Sequence, residues 1–175
     1  EISQSASLSL DDLPSIDNDT VRRGQPSAWV KYGVGKVTIL SHILMPHAQR
    51  MLEKYGPEAE RAFSRTWEEI AWGEFRDVFL TDGILRGIKE ALAQESLAPL
   101  TAAVSGKAYE ALISAKTASL FRLTCTLGAL SAHASPQMVA AAGDYGHACG
   151  VAFQIADDLC DMQIVNNSPL AALAR

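Results

Sequence analysis

The stretch PQMVAAAGDYGHACGVAFQIADDLCDM, residues 136 to 162, constrains the fold more than any other part of the chain. Ser135 ahead of Pro136 is a helix N-cap followed by proline at the first helical position, and the stretch contains no second proline. As one helix it would be about 40 Å long at 1.5 Å per residue. Gly143, Gly146 and Gly150 would each cost an isolated helix about 1 kcal/mol relative to alanine. Close packing against a neighbouring helix is the simplest compensation, so the glycines predict a tight helix pair.

Elsewhere strand signals are nearly absent and apolar residues recur at helical spacing, so an all-α antiparallel bundle is expected. Residues 1 to 12 read as the end of a helix stopped by Pro14, and residues 14 to 28 as a polar loop with breakers at Pro14, Gly24 and Pro26. A helix is expected from Trp29 to Tyr55, closed by Gly56-Pro57, and another from there to about Phe79. Residues 80 to 106 give no clear pattern. Lys107 to Ala134 carries leucines and alanines at helical spacing, and after Met162 the sequence QIVNNSPLAALAR changes character.

With 175 residues, 48% hydrophobic and 20% charged, the chain can build one domain, 1–175, around a real core. A net charge of −5 with no basic stripe excludes a nucleic acid held through its phosphates. Cys125, Cys149 and Cys160 are odd in number and lack CxxC spacing, which points to a reducing, cytoplasmic setting rather than disulfides or zinc. No apolar run approaches the roughly 20 residues of a membrane span, EISQSASLSL is not a signal peptide, and the start reads like mid-protein sequence.

Chemistry concentrates in two acidic stretches. DDLPSIDNDTVRRG, residues 11 to 24, sets Asp11, Asp12 and Asp17, with Asp19, ahead of Arg22 and Arg23. FQIADDLCD, residues 153 to 161, holds Asp157, Asp158 and Asp161. Positions 157 and 161 are one helical turn apart, with carboxylates within about 6 Å on one face. Like charges that close raise each other's pKa unless a cation lies between them. A solvated acidic helix end is the alternative, which the interleaved Phe153, Ile155, Ala156, Leu159 and Cys160 oppose. All-oxygen sets without histidine suit magnesium better than zinc, and magnesium shares its ligands with phosphates. A diphosphate is thus the natural guest, with Arg22 and Arg23 as charge-assisted donors. His42, His47, His133 and His147 lack ligand spacing and read as structural or surface residues, and Trp67 and Trp72 as core or interface.

These residues resemble the trans-polyprenyl diphosphate synthases. DDLPSIDNDTVRRGQPS looks like their first aspartate-rich motif, DDxxxxD, with its following RRGxP, and AFQIADDLCD looks like the second, FQxxDDxxD. Lys116-Thr117 matches the KT motif, and WGEFRD, residues 72 to 77, is similar to GQxxD, with Glu74 where the family usually has glutamine and so without an assigned role. EISQSASLSLDD is most similar to bacterial geranylgeranyl diphosphate synthases. Five and four residues before the first aspartate stand Ala6 and Ser7, positions that floor the chain-length pocket in the family. Their small size implies a pocket deeper than a farnesyl product needs, or else simply allows two helices to pack closely.

The resemblance implies an isoprenoid-synthase fold, a homodimer, and condensation of isopentenyl diphosphate with an allylic diphosphate to geranylgeranyl diphosphate. It implies Mg2+ held by Asp11, Asp12 and Asp17 and by Asp157, with Asp158 and Asp161 in support. Arg22, Lys116, Thr117 and Gln154, with Phe153 beside it in the motif, match contacts to the allylic substrate, and Arg23 one to isopentenyl diphosphate. The expected catalytic set is Asp11, Asp12, Asp17, Asp157, Asp158 and Lys116. Full members also carry a lysine-arginine element before the first motif and a GK-containing loop after the second, and neither is present here; a longer chain and a natural fragment both account for that. A farnesyl diphosphate synthase is a neighbouring alternative. A non-catalytic partner subunit characteristically loses aspartates and carries CxxxC, and a class I terpene cyclase has a second motif of the Asn/Ser/Glu kind; neither pattern occurs here.

Overall fold

The computed structural model describes the backbone of residues 1–94 and 106–166 and the side chains of 1–78 and 109–160. Among the described residues the chain is helical apart from one two-stranded hairpin, as the all-α expectation requires. It forms two compact units, the first Glu1–Ser64 and the second beginning at Arg65.

The first unit opens with α1, Ile2–Asp11. A hairpin follows, β1 Val21–Arg22 antiparallel to β2 Gln25–Pro26. Then come α2, Ala28–Tyr32, α3, Val34–Arg50, and a 3-10 turn, Glu53–Tyr55. Helix α1 packs on α3, and Ala6, Leu13, Val37, Ala59 and Phe63 are buried. The helix expected from Trp29 to Tyr55 is thus divided. Gly33, at φ +90°, leaves right-handed space, ends α2 and caps α3. Gly56, at φ +86°, and Pro57 close and reopen the chain as their order predicts. The next helix, α4, Pro57–Gln94, runs well past the expected end near Phe79.

The second unit holds most of α4, then α5, Gly106–Ile113, a π turn, Ser114–Ala118, α6, Ser119–Ser131, and α7, Pro136–Asn166. The helix expected from Lys107 to Ala134 is therefore interrupted by the π turn and ends at Ser131, with His133 at φ +53° just beyond. Helix α7 starts where Ser135-Pro136 predicts: the Met138 amide donates to Ser135 Oγ at 3.4 Å and the Val139 amide to the Ser135 carbonyl at 2.9 Å. It continues to Asn166, so the change of composition after Met162 is not a helix end.

The glycines of α7 form the predicted seam. A Cβ on Gly146 would stand 2.5 Å from the Phe121 carbonyl oxygen, and one on Gly150 2.5 Å from Ala118 Cα. Only hydrogen fits there, so the two backbones meet directly. Ile70, Ile113, Ala115, Ala118 and Leu123 complete the buried interior. Trp72 is not part of it: 52% exposed, it packs edge-on against Phe75 with ring centroids 5.5 Å apart. No helix among the described residues is long and apolar enough to cross a membrane.

Candidate active site

In the first unit, the end of α1 delivers Asp11 and Asp12, both buried. The chain then folds back over them: the Ile16 and Asn18 amides donate to the Leu13 carbonyl at 2.9 and 3.0 Å, and the Asp17 amide to the Asp11 carbonyl at 2.9 Å. Asn18 takes φ +56°, which asparagine tolerates because its short polar side chain bonds locally. Asp17 is thereby returned to the helix end it left six residues earlier.

Val21-Arg22-Arg23-Gly24-Gln25-Pro26 forms the hairpin, with Arg23 at φ +52° and Gly24 at φ +72°. Positive φ at both central residues is the type I′ pattern, whose twist suits paired strands. Ser27 Oγ and Trp29 Nε1 both donate to the Asp19 carbonyl, at 2.7 and 2.8 Å, fixing the hairpin to α2. This aims Arg22 at Asp12. Arg22 Nε donates to Asp12 Oδ1 at 2.9 Å, Nη2 reaches the same oxygen, and Asp19 Oδ2 lies 3.5 Å from Nη2. The hydrogen bond to Asp12 above all, with the charges of Asp12, Asp19 and Asp11, raises the Arg22 pKa further above its ordinary value. Arg23 points elsewhere, exposed and without hydrogen bond or ion pair among the described residues. Ala6 is fully buried one turn before Asp11, and Ser7 is half-buried.

In the second unit, the π turn carries Lys116 and Thr117. An extra residue per turn displaces neighbouring side chains relative to an α-helix, and such turns recur at functional sites. Thr117 Oγ1 donates to Gln154 Oε1 at 2.7 Å, and Gln154 Nε2 donates to Asp158 Oδ1 at 2.9 Å. Tyr109 of α5 donates its hydroxyl to Asp158 Oδ2, which raises the phenol pKa. Both oxygens of Asp158 are therefore engaged, while Asp157 is exposed and makes no hydrogen bond or ion pair among the described residues. Phe153 lies 5.5 Å from the Phe121 ring. The side chain of Asp161 lies outside the described residues. Phe153, Ile155 and Leu159 are 53%, 41% and 54% exposed, so they do not shield the acidic helix end as the sequence suggested.

Lys116 turns to a different set. Its Nζ donates to Asp77 Oδ2 at 3.0 Å and stands 3.1 Å from Glu74 Oε1. Helix α4 comes this close because Gly73 rests on the π turn, where a Cβ would be 3.0 Å from the Lys116 amide nitrogen. Three participants were unassigned from sequence: Tyr109, Glu74 and Asp77. Glu74 and Asp77 stand at i and i+3 on one helical face, and two like charges that close call for a cation, a signal that could have found them.

Among the described residues no three His, Cys, Asp or Glu side chains converge as a ready metal site. Magnesium does not need such a cage, since it keeps waters and takes one or two carboxylates with substrate phosphates. The exposed carboxylate of Asp157 and the all-oxygen set gathered at the end of α1 fit that chemistry.

The polyprenyl synthetase family model matches residues 1–168, and the chain belongs to that family. It is 31% identical over 165 residues to a hexaprenyl pyrophosphate synthase of Saccharolobus solfataricus, covering 92% of this chain and 48% of the relative. It is 32% identical over 167 residues to a geranylgeranyl diphosphate synthase of Sulfolobus acidocaldarius, covering 91% and 44%. An isoprenoid synthase family member from Thermotoga neapolitana matches with a TM-score of 0.75 at 29% identity, over 93% of this chain and 56% of that one. A polyprenyl synthase from Caulobacter crescentus, complexed with calcium and isoprenyl diphosphate, matches with a TM-score of 0.74 at 27% identity, over 90% and 42%. The chain spans about half the length of the curated relatives it matches.

Proposed function

We infer that this chain acts as a trans-prenyltransferase that condenses isopentenyl diphosphate with an allylic diphosphate, giving geranylgeranyl diphosphate. The observation that carries this reading is the hydrogen-bonded run Thr117–Gln154–Asp158, which ties the lysine-threonine π turn to the second aspartate-rich motif. Family membership and the Caulobacter relative, bound to a divalent cation and isoprenyl diphosphate, support it.

Asp11, Asp12 and Asp17, and Asp157 with Asp158 and Asp161, are the proposed magnesium ligands and their supports. When bound, the metal neutralises charge that builds on the leaving diphosphate as the allylic carbon–oxygen bond breaks. Tyr109 and Gln154 hold Asp158 in place, leaving Asp157 as the outward ligand. Arg22 and Lys116 donate to the allylic diphosphate, whose oxygens gain negative charge in the transition state, where preorganised donors act most strongly. Thr117 contacts it only by turning its single hydroxyl proton away from Gln154. Arg23 serves isopentenyl diphosphate. The double bond of isopentenyl diphosphate attacks the allylic cation, and the departing diphosphate takes the proton.

The four-unit product rests on the small Ala6 and Ser7; curated relatives make products from geranylgeranyl to nonaprenyl diphosphate. Three free cysteines fit a reducing cytoplasm, and a homodimer is proposed by family analogy. The test is incubation of the purified chain with magnesium, labelled isopentenyl diphosphate, and dimethylallyl, geranyl or farnesyl diphosphate, with products sized by mass spectrometry. A geranylgeranyl product supports the whole reading, and a farnesyl product corrects the pocket argument. No condensation with any starter overturns it in favour of a non-catalytic partner subunit.

A further inference from the structure

The Lys116 ammonium faces two carboxylates at nearly equal distance, Asp77 at 3.0 Å and Glu74 at 3.1 Å. A lysine has three N–H donors and one positive charge. Two carboxylates therefore share the one ammonium that would meet an anionic ligand. The Glu74 side chain is only 18% exposed, and both its oxygens are shielded from solvent. If the ammonium turned toward a ligand, that shielded carboxylate would lose this ion pair, which is costly away from water.

We propose that Glu74 sets the diphosphate affinity of this site by competing with the ligand for Lys116. The inference rests on the function proposed above and extends it to a residue that acts through another. Asp77 holds the lysine at 3.0 Å, and Glu74 adds a second negative charge at 3.1 Å that the incoming diphosphate must displace. Glu74 is thus a positioning residue whose removal tightens anion binding. One unit charge about 6 Å from a phosphate oxygen corresponds to roughly three-fold in affinity at the dielectric of bulk water and roughly 100-fold at the effective value of about 20 near a protein surface, so tightening of at least about three-fold is expected.

The experiment is isothermal titration of the purified full chain with inorganic diphosphate in the presence of magnesium, for wild type and Glu74→Gln. Glu69→Gln, an exposed change of the same charge on the same helix, is the control. Glu74→Gln should bind at least about three-fold more tightly and Glu69→Gln should match wild type. In a Lys116→Met background, Glu74→Gln should have no such effect. Glu74→Asp, which keeps the charge, should stay near wild type. In turnover, Glu74→Gln should lower the KM for the allylic substrate and the inhibition constant of inorganic diphosphate by the same factor, without raising kcat. A loss of side-chain packing alone would not improve both constants.

Unchanged or weaker binding by Glu74→Gln overturns the proposal. So does equal tightening by Glu74→Asp, by Glu69→Gln or in the Lys116→Met background, and so does failure of the wild-type chain to bind inorganic diphosphate at all. If Glu74→Gln does not fold, Glu74→Ala, which removes the same charge, must tighten binding in its place. Titration does not depend on turnover, so absence of condensation with intact binding refutes the proposed reaction and leaves this inference standing.

Discussion

Gly150→Ala adds one methyl group at the point where α7 crosses the π turn. The new Cβ would lie 2.5 Å from Ala118 Cα, 3.0 Å from Ala118 Cβ and 3.1 Å from Phe121 Cβ. Carbon atoms in good contact are about 3.5–4.0 Å apart, so the helices must separate by about 1 Å. Two of these atoms are Cβ and one is backbone, so no flexible side chain can yield. Overpacking of that kind costs about 3 kcal/mol, the upper end of its usual range. Alanine's better helix propensity returns about 1 kcal/mol. The net loss is about 2 kcal/mol, or roughly 4–8 °C in Tm for a chain of this size.

Gly128 in α6 supplies the contrast, because it is exposed and a Cβ there meets nothing within 4 Å. Gly128→Ala should stabilise by about 0.5–1 kcal/mol. Urea unfolding at constant m-value measures both. Gln154 stands one turn beyond Gly150 and receives the Thr117 hydroxyl at 2.7 Å, so Gly150→Ala should also lower kcat/KM, whereas Gly128→Ala should not. Equal stability changes at the two positions, or a Gly150→Ala variant as stable as wild type, would refute the backbone-contact argument.

Arg22→Ala removes the cation from the buried Asp12 carboxylate. Breaking a fully buried pair costs about 3–5 kcal/mol, and the 34% exposure of Arg22 reduces the expected loss in urea unfolding to about 1–2 kcal/mol. Arg23→Asn relieves left-handed strain at φ +52°, so it should stabilise the hairpin by about 1 kcal/mol while raising the KM for isopentenyl diphosphate. Tyr109 has its pKa raised by its hydrogen bond to Asp158, so its stabilising contribution is present below the ordinary tyrosine value near 10 and is lost as pH rises through the higher folded value. The stability difference between wild type and Tyr109→Phe, measured by urea unfolding at a series of pH values, should be constant from neutral pH to about pH 10 and shrink above it.

The long-range pattern of the fold was legible because its signals are local. Ser135-Pro136 and Gly56-Pro57 fix helix boundaries through caps and φ restrictions acting within a few residues. The α7 glycines revealed a close helix neighbour because their cost requires one. The π turn was not legible, since SAKTA contains ordinary helix formers and its register depends on α4 approaching through Gly73. Gly33 was missed for a different reason: a single glycine within an apolar helical pattern is usually tolerated, and only the backbone shows it at φ +90°.

The aspartates and Lys116 were legible as charges, and the partners that orient them were less so. Arg22 could be paired with the first acidic set by proximity in sequence. Lys116 lies 39 residues from Asp77, and Tyr109 lies 49 from Asp158, separations that local pattern cannot bridge.

The most direct test of the two-motif mechanism is the initial rate of incorporation of labelled isopentenyl diphosphate into an allylic starter, with and without magnesium, for wild type, Asp11→Asn and Asp157→Asn. Condensation should require magnesium and fall at least about 100-fold in either variant while both remain folded, as expected when transition-state charge stabilisation is removed. Wild-type-like condensation by both asparagine variants, or none by wild type with excess magnesium, would contradict that mechanism.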